Sequence, residues 1–203
     1  MQSISMKKLS AVALLLTTTI MYSCDKDDET SNVADEQIRA SEAMTIPDAV
    51  TLPANAPSGN ERVATYYAVG VQKYKAQVKA GSAPVTFEWV FVAPEAKLFN
   101  NQNQQVGTHS AGPSWRLTGG IDSMYGQQFT PARTAPAPVA SSIDWLLLMP
   151  KDGKTPTGIF ADVSYIQRIA TSGGKAPSTL PVTENDKVEV PYTAVYRFSK
   201  KKQ

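Results

Sequence analysis

The sequence predicts an all-β domain, either an antiparallel β-sandwich or a barrel, jelly-roll-like in its connections. Seven to nine short apolar or alternating segments are separated by turns that contain glycine or proline. No amphipathic helix of about ten residues lies between two of these segments, which argues against a parallel α/β fold. No stretch of roughly 20 to 50 residues repeats along the chain, so a repeat architecture is not expected.

Residues 1–23 are predicted to be a lipoprotein signal peptide. Lys7 and Lys8 form a short basic region, and an uncharged, largely apolar run follows over residues 9–20. This run is shorter than the roughly 20 apolar residues that span a bilayer, so it is typical of an export signal and not of a transmembrane helix.

Cys24 is the only cysteine in the chain, so an internal disulfide is excluded. It directly follows the apolar run, in Met21-Tyr22-Ser23-Cys24, and this position resembles the lipobox of bacterial lipoproteins, in which the cysteine carries the lipid. The sequence therefore predicts a membrane anchor, with palmitate or a similar acyl chain, at Cys24. A free thiol left after ordinary cleavage is the alternative.

The acidic run at residues 25–29 resembles the lysine-plus-acidic signal that sends some Gram-negative lipoproteins to the cell surface. This resemblance implies an exported outer-membrane lipoprotein on the outer face, while a solvated tether is the alternative. Because residues 24–45 are polar and lack aromatic side chains, they are predicted to be a flexible acidic tether. Residues 46–203 are predicted to be a single β domain with a short basic tail.

The charge distribution gives little support for nucleic-acid binding. From Cys24 onwards the chain has 18 basic side chains, which is the total of 20 less Lys7 and Lys8, against 18 acidic ones. No basic stripe interleaves with aromatic residues in the β domain. Nucleic acid is therefore not an expected partner, and the sequence gives no indication of the oligomeric state.

The predicted strands follow one another through the domain. The clearest covers residues 85–92, where every odd position is large and apolar. Residues 143–149 are almost wholly apolar, which is typical of a strand buried on both faces. The other predicted strands are 63–78, 114–118, 159–163, 165–170 and 191–198. One helical turn is predicted at residues 94–99, and three prolines in residues 131–138 predict a connector without ladder hydrogen bonds.

Residues 106–125 contain the only histidine, His109, together with Trp115 and a cluster of glycines. This composition predicts an irregular surface feature. A nucleophile elbow around Ser110 is excluded because Thr108 stands where the pattern needs glycine. No second histidine is present to act as the base. A structural role for His109, with its ring bonded to backbone, is favoured over a role in ligand binding or proton transfer.

Metal and cofactor sites also have little support. One histidine and one cysteine that is predicted to carry lipid leave few ligands for zinc or copper. A calcium site is not excluded, because calcium needs only oxygen ligands, but no EF-hand spacing is present. No dinucleotide or phosphate-binding loop follows any predicted strand. No metal and no cofactor are therefore predicted.

Two classes of function differ in which side chains they need. A hydrolase would use His109 with a carboxylate, or two carboxylates from adjoining strands, but the spacing of the acidic residues pairs none of them. Binding is better supported, because the tryptophans and tyrosines offer flat faces that stack on sugars. Trp89 and Trp145 are predicted to lie in the core, whereas Trp115 is open to either a core or a ligand-binding position.

Five ordered segments together resemble the secreted bacterial and fungal family known as domain of unknown function 3455. They are W-V-F-V-A-P-E-A-K-L-F (89–99), G-T-H-S-A-G-P-S-W (107–115), I-D-W-L-L-L (143–148), Y-I-Q-R-I-A-T-S-G-G-K-A-P (165–177) and V-P-Y-T-A-V-Y-R-F (190–198). The family's usual cysteine pair is missing here, and Ser110 replaces its usual tyrosine. The resemblance implies an extracytoplasmic β domain and brings no established activity.

The polar and aromatic members of these segments are the predicted ligand-binding residues: His109, Trp115, Gln167 and Arg168. The imidazole and Gln167 would bond ligand hydroxyls, and Arg168 would bind a carboxylate or sulfate through two hydrogen bonds. A buried pair of Arg168 with Asp144 or Asp162 is the alternative. The leading hypothesis is a surface lipoprotein that binds a glycan or other polar ligand without catalysis. A hydrolase and a structural or adhesive protein are the alternatives.

Overall fold

The computed structural model describes residues 32–203. The predicted signal peptide, Cys24 and the acidic run at residues 25–29 lie outside the described residues. One helix, α1 (Val33–Glu42), precedes eight strands. The strands are β1 (Asn60–Val78), β2 (Phe87–Phe99), β3 (Gln105–Ser110), β4 (Ser114–Leu117), β5 (Ser123–Ala135), β6 (Trp145–Pro150), β7 (Tyr165–Gly173) and β8 (Lys187–Lys201). Single 3-10 turns occur at Asp48–Val50 and Gly158–Phe160. Within residues 32–203, no helix has the length and apolar character needed to cross a membrane.

The eight strands form a closed antiparallel barrel in which each strand pairs with its neighbours in sequence. The barrel closes where β1 pairs with β8, from Asn60 opposite Lys201 to Lys75 opposite Lys187. The prediction of an all-β antiparallel fold is confirmed, and the barrel is the form adopted. The strands follow one another around the barrel as a simple meander, so the jelly-roll connections expected from sequence are not the ones observed.

The two ends of the barrel differ. We call open the end that carries connections 79–86, 111–113, 136–144 and 174–186, and closed the end that carries connections 100–104, 118–122 and 151–164. The 3-10 turn Gly158–Phe160 at the closed end buries the Phe160 ring against Phe198, with ring centroids 4.8 Å apart. Trp115 and Met124 are also buried in this inner core. The barrel interior is therefore filled towards the closed end.

Alternation along β8 shows how sequence divides the molecule into two cores. Tyr192, Ala194, Tyr196 and Phe198 belong to the core inside the barrel, because successive side chains of a strand face opposite sides. Val195 faces outwards and joins a second core with Trp145, Leu147 and Ile169. Trp145 is buried, as predicted, and the β6 segment is buried on both faces.

The outer core exists because residues 33–52 pack against the outside of the barrel. Ala34 and Val50 are fully buried there, and Gln167 donates a hydrogen bond to the Val50 carbonyl at 2.8 Å. The Arg197 guanidinium contacts the Glu42 carboxylate at 3.0 Å and donates to the Ser41 hydroxyl at 3.2 Å.

This packing corrects the predicted tether at residues 24–45 in the part that the structure describes. Residues 33–42 form a helix. Asn32 is its N-cap, and the Asn32 side chain accepts a hydrogen bond from the Asp35 amide at 3.0 Å. A short apolar stripe is enough to hold the helix, because it completes a hydrophobic surface on the barrel.

Three local expectations are also wrong. Residues 94–99 continue β2 instead of forming a helical turn, and Pro94 is tolerated because β3 pairs with β2 only from Ala96 onwards. Residues 159–163 include part of the 3-10 turn Gly158–Phe160 and no strand. Residues 131–135 belong to β5, and Arg133 to Ala135 pair with β6 after a bulge.

Candidate ligand-binding cavity

Residues 106–125 form strands and not the irregular surface feature predicted from their composition. His109 on β3 and Trp115 on β4 are directly opposite each other in the ladder. Their rings stack with centroids 4.7 Å apart and planes inclined by 14°. Both side chains face the barrel interior, where His109 is 2% and Trp115 is 1% exposed. The inward-facing side chains of the segment therefore belong to the barrel interior, whereas the turns at residues 111–113 and 118–122 lie at its two ends.

The surroundings of His109 fix its protonation. Its Nδ1 atom lies 2.9 Å from the Ser114 carbonyl oxygen, so the proton of the neutral ring is on Nδ1, and Nε2 is left as an acceptor. Burial lowers the pKa of His109 to about 4, the hydrogen bond to Ser114 opposes this shift, and the nearby Arg168 charge adds to it. The predicted structural role, with the ring bonded to backbone, matches this geometry.

Trp115 packs behind His109 and does not contact the cavity. Its ring lies against Gly126, where an added Cβ atom would be 3.0 Å from the indole. It also meets Tyr196 and Phe198 edge-on, at 5.4 and 5.6 Å between ring centroids. The open position at a groove, which would suit stacking on a sugar, is therefore not observed. Trp115 supports the imidazole from behind.

Gln167 and Arg168 point to opposite sides of β7. Gln167 is on the outer side, under the segment that carries Val50, and does not join the other predicted site residues. Arg168 lines the cavity, and its Nε and Nη2 atoms donate to the backbone carbonyl of Asp144 at 3.1 and 2.7 Å. The alternative of a pair with Asp144 is thus realised only through the backbone, because the Asp144 carboxylate contacts Lys175 at 3.5 Å.

A cavity of about 300 Å³ lies inside the barrel towards its open end. The β3–β4 hairpin is short, so the barrel wall ends early at its turn, residues 111–113. Gly112 and Pro113 of this turn line the cavity. Its polar lining residues are Gln72, His109, Gln128, Arg168 and Tyr196. Its main apolar lining residues are Phe91, Val92, Pro94, Leu146 and Leu148. An eight-stranded barrel is wide enough to hold one small ligand in this way.

Several buried polar groups at the cavity have no hydrogen-bond partner among the described residues. They are the Gln72 amide nitrogen and the Tyr196 hydroxyl, which belong to lining residues, and the Tyr192 hydroxyl, which is near both of these side chains but does not line the cavity. Burial raises the pKa of both tyrosines, and for Tyr192 the neighbouring Tyr196 adds to the rise. The Tyr192 hydroxyl is close enough to Tyr196 and Gln72, and the Tyr196 hydroxyl is close enough to Arg168, for these neighbours to affect the tyrosine pKa values, yet neither hydroxyl makes a hydrogen bond of normal geometry. Buried polar groups of native proteins are usually paired, so the unpaired groups of Gln72 and Tyr196 indicate room for a polar partner in the cavity.

The cavity has one formally charged side chain, Arg168, and no carboxylate in its described lining. The nearest acidic residue of the adjoining outer cleft is Asp144, which is paired with Lys175. Within the described lining of this cavity His109 has no carboxylate beside it; Glu95 and Glu189, which line a separate shallow cleft with His109, contact Lys73. In residues 32–203, no group of three or more His, Cys, Asp or Glu side chains is placed to hold a metal ion.

Comparison with known proteins places the fold in a family. The model of a family described as "Protein of unknown function (DUF3455)" matches residues 57–200. The chain belongs to the DUF3455 family. The match runs from just before β1 to the penultimate residue of β8, so it includes every residue that lines the cavity and leaves out α1. No curated protein and no solved structure matches the chain.

In this DUF3455 member, two of the four residues predicted to bind a ligand line the cavity. His109 and Arg168 meet at the cavity, Trp115 supports it from behind, and Gln167 lies elsewhere. The other polar lining residues, Gln72, Gln128 and Tyr196, and Tyr192 next to them, were not predicted from the sequence. A signal for some of them was present, since alternation in residues 191–198 puts both tyrosines on the apolar face. A hydroxyl on that face needs a partner.

Proposed function

We propose that this protein binds a small polar ligand in the barrel cavity and does not transform it. The observation that carries the proposal is the set of buried, unpaired polar groups of Gln72, Tyr192 and Tyr196 beside a cavity of about 300 Å³. Leaving such a group unsatisfied costs about 1–3 kcal/mol. A ligand that supplies hydrogen-bond partners would therefore recover a part of that cost on binding.

The lining supports a binding role with both polar and apolar contacts. The His109 Nε2 atom is an acceptor, and the Tyr196 hydroxyl and the Gln72 amide are donors. Leu146 and Leu148 supply an apolar wall, and Phe91, which is half exposed, offers a ring at the rim. A sugar face on Phe91 is the arrangement that a glycan would use. This differs from the stacking on Trp115 that the sequence suggested.

We further propose that the protein is exported and held at the outer membrane, on the cell surface, by an acyl chain on Cys24. Support comes from the sequence alone: the basic and apolar residues before Cys24 and the acidic run at residues 25–29. Cells grown with radiolabelled palmitate are expected to label the wild-type chain and not Cys24→Ser. Equal absence of label in both chains would contradict the anchor, and it would leave the cavity proposal untouched.

The binding proposal is tested by a screen of monosaccharides, disaccharides and small polar fragments. Protein-observed NMR follows the single imidazole of His109, and calorimetry gives the affinity. Hits are then measured on Leu146→Trp, in which the half-buried leucine at the cavity is replaced by a larger ring. Overfilling the cavity is expected to weaken binding by at least about tenfold, because the ligand and the indole compete for the same space.

Leu180→Trp is the matched control, because Leu180 is exposed and does not line the cavity. It is expected to bind like the wild type. A screen that gives no ligand, or ligands that bind Leu146→Trp and the wild type equally, would refute a binding role for the cavity. A structural protein would then be the better description.

A further inference from the structure

We infer that the ligand of this cavity is a small organic monocarboxylate that bears hydroxyl groups, and that Arg168 binds its carboxylate. This inference rests on the proposed function, because it names the ligand class for the same cavity. It is carried by the charges in and around the cavity, by the free edge of the Arg168 guanidinium, and by the unpaired hydroxyls beside it.

The charge balance of the cavity calls for one negative charge. Arg168 is the only charged side chain among the described lining residues, and no carboxylate in residues 32–203 lies within ion-pair distance of its guanidinium. At the rim, the Asp144 carboxylate and the Lys175 ammonium contact each other at 3.5 Å and so compensate. The pocket therefore keeps one positive charge, which an anion of charge −1 would balance.

A dianion fits less well than a monoanion. A buried charge is tolerated when it is paired and hydrogen-bonded, and an unpaired one is costly. A phosphate monoester would bring a second negative charge into a cavity whose other polar groups, Gln72, His109, Gln128 and Tyr196, are formally neutral. The lowered pKa of His109, about 4, keeps this imidazole neutral near pH 7. It would therefore supply no second positive charge.

The geometry of Arg168 leaves one edge of the guanidinium available. Nε and one Nη2 hydrogen donate to the Asp144 carbonyl, so that side of the fork is occupied and the group is held in place. The Tyr196 hydroxyl is near the guanidinium, but within residues 32–203 no hydrogen bond of normal geometry reaches Nη1. The outer edge, formed by Nη1 and the second Nη2 hydrogen, has the parallel donors that bind both oxygens of one carboxylate.

The rest of the cavity matches the body of such an acid. The unpaired Tyr196 hydroxyl and the unpaired Gln72 amide, which both line the cavity, would bond hydroxyl groups on the ligand. Leu146 and Leu148 would cover its carbon skeleton. A cavity of about 300 Å³ is at the lower end of the usual range for ligand pockets, which suits a molecule of monosaccharide size.

Two matched pairs of probes test the inference on the wild-type protein: glucuronate against glucose, and benzoate against benzamide. In each pair the carboxylate is replaced by a neutral group. Calorimetry is expected to show tighter binding of the acid by at least about tenfold, since a hydrogen bond to a charged group contributes roughly twice as much as a neutral one. Glucuronate is expected to bind more tightly than benzoate, because only glucuronate has hydroxyls for Gln72 and Tyr196.

Variants at Arg168 then locate the effect. Arg168→Met is expected to weaken glucuronate binding by at least about tenfold while leaving glucose unchanged, and Arg168→Lys is expected to fall between them because lysine lacks the fork. Arg116→Met, at an exposed arginine on β4 away from the cavity, is the matched control and is expected to bind like the wild type. If Arg168→Met does not fold, the probe pairs on the wild type still decide the question.

The outcomes separate this inference from the function on which it rests. Neutral probes that bind the wild type as tightly as the acids do, and that bind Leu146→Trp more weakly, would refute the carboxylate inference and leave a binding role in place. The same holds if none of the four probes binds while a neutral compound from the wider screen does. If nothing from the screen or the probe pairs binds, both proposals fail.

Discussion

Acid is expected to weaken the fold of this protein in a window set by its one buried imidazole. The His109 pKa is about 4 in the folded chain, against 6.5 for an ordinary histidine. The unfolded chain therefore binds a proton as the pH falls below 6.5, while the folded chain keeps the imidazole neutral until about pH 4. The free energy of unfolding that His109 contributes is fully present above pH 6.5, and is lost progressively as the pH falls to about 4.

The size of this loss follows from the two pKa values. One pKa unit corresponds to about 1.36 kcal/mol, so the interval between 6.5 and about 4 gives a loss of about 3 kcal/mol in the free energy of unfolding. Domains of this size have only about 5–15 kcal/mol in total. Asp186 also has a lowered pKa, through hydrogen bonds from Thr183 and Val182, but its ordinary value of 3.8 places its titration below this window.

Urea unfolding at pH 7, 6, 5 and 4 measures the effect, with His109→Phe as the comparison. Phenylalanine keeps an aromatic ring against Trp115 and Tyr196 and has nothing to titrate. The difference between the two curves isolates the histidine, so the wild type is expected to lose about 3 kcal/mol more than the variant between pH 7 and 4. An NMR titration of the single imidazole gives the folded pKa directly. A constant difference between the curves, or an imidazole pKa near 6.5, would refute the reasoning.

Two further predictions concern stability and use urea unfolding at pH 7. Gly70→Ala is expected to lower the free energy of unfolding by at least about 1–3 kcal/mol, because the added Cβ atom would lie 2.0 Å from the Glu95 carbonyl oxygen of the neighbouring strand. An unchanged urea midpoint would mean that β1 and β2 move apart at this position without loss of stability. Glu42→Ala is expected to cost about 1–2 kcal/mol, since the Arg197 side chain is only 6% exposed and loses its carboxylate, although the half-exposed Glu42 limits the effect. Asp35→Ala, which breaks an exposed ion pair within the helix, is the control and is expected to change stability by less than about 0.5 kcal/mol. Equal losses in both variants would show that the contact of Glu42 with Arg197 does not decide the result.

The fold class could be predicted because several strands alternate apolar and polar side chains, and the apolar side chains of each strand pack together in a core. Residues 191–198 alternate large apolar side chains and lie in β8 of the barrel. The pattern fails where the inward positions are not apolar. On β3 the buried residues are Gly107 and His109, so no hydrophobic alternation marks the strand. The helical turn expected at residues 94–99 followed from local residue preferences, which the pairing of β2 with β1 overrides.

The residues of the candidate site were harder to predict from the sequence, because the site depends on which faces of different strands meet. Gln167 and Arg168 were assigned to one site, although neighbouring residues of a strand face opposite sides, and the structure separates them across β7. Trp115 lies next to glycine and proline in sequence, which suggested exposure, yet the ladder turns its ring inwards. Only closure of the barrel brings Gln72 from β1 near Gln128 from β5. Their spacing along the sequence does not predict that these two residues line the same cavity.

Both described termini leave the barrel at its closed end. Asn60, where β1 begins, is opposite Lys201 near the end of β8, and the Asn32 side chain at the start of the helix donates to the Asn101 carbonyl in connection 100–104. A bead or a fusion partner joined to the C-terminus would thus stand behind the barrel. The open end, towards which the cavity lies, would face the surrounding medium, so an immobilised sample would keep its cavity accessible.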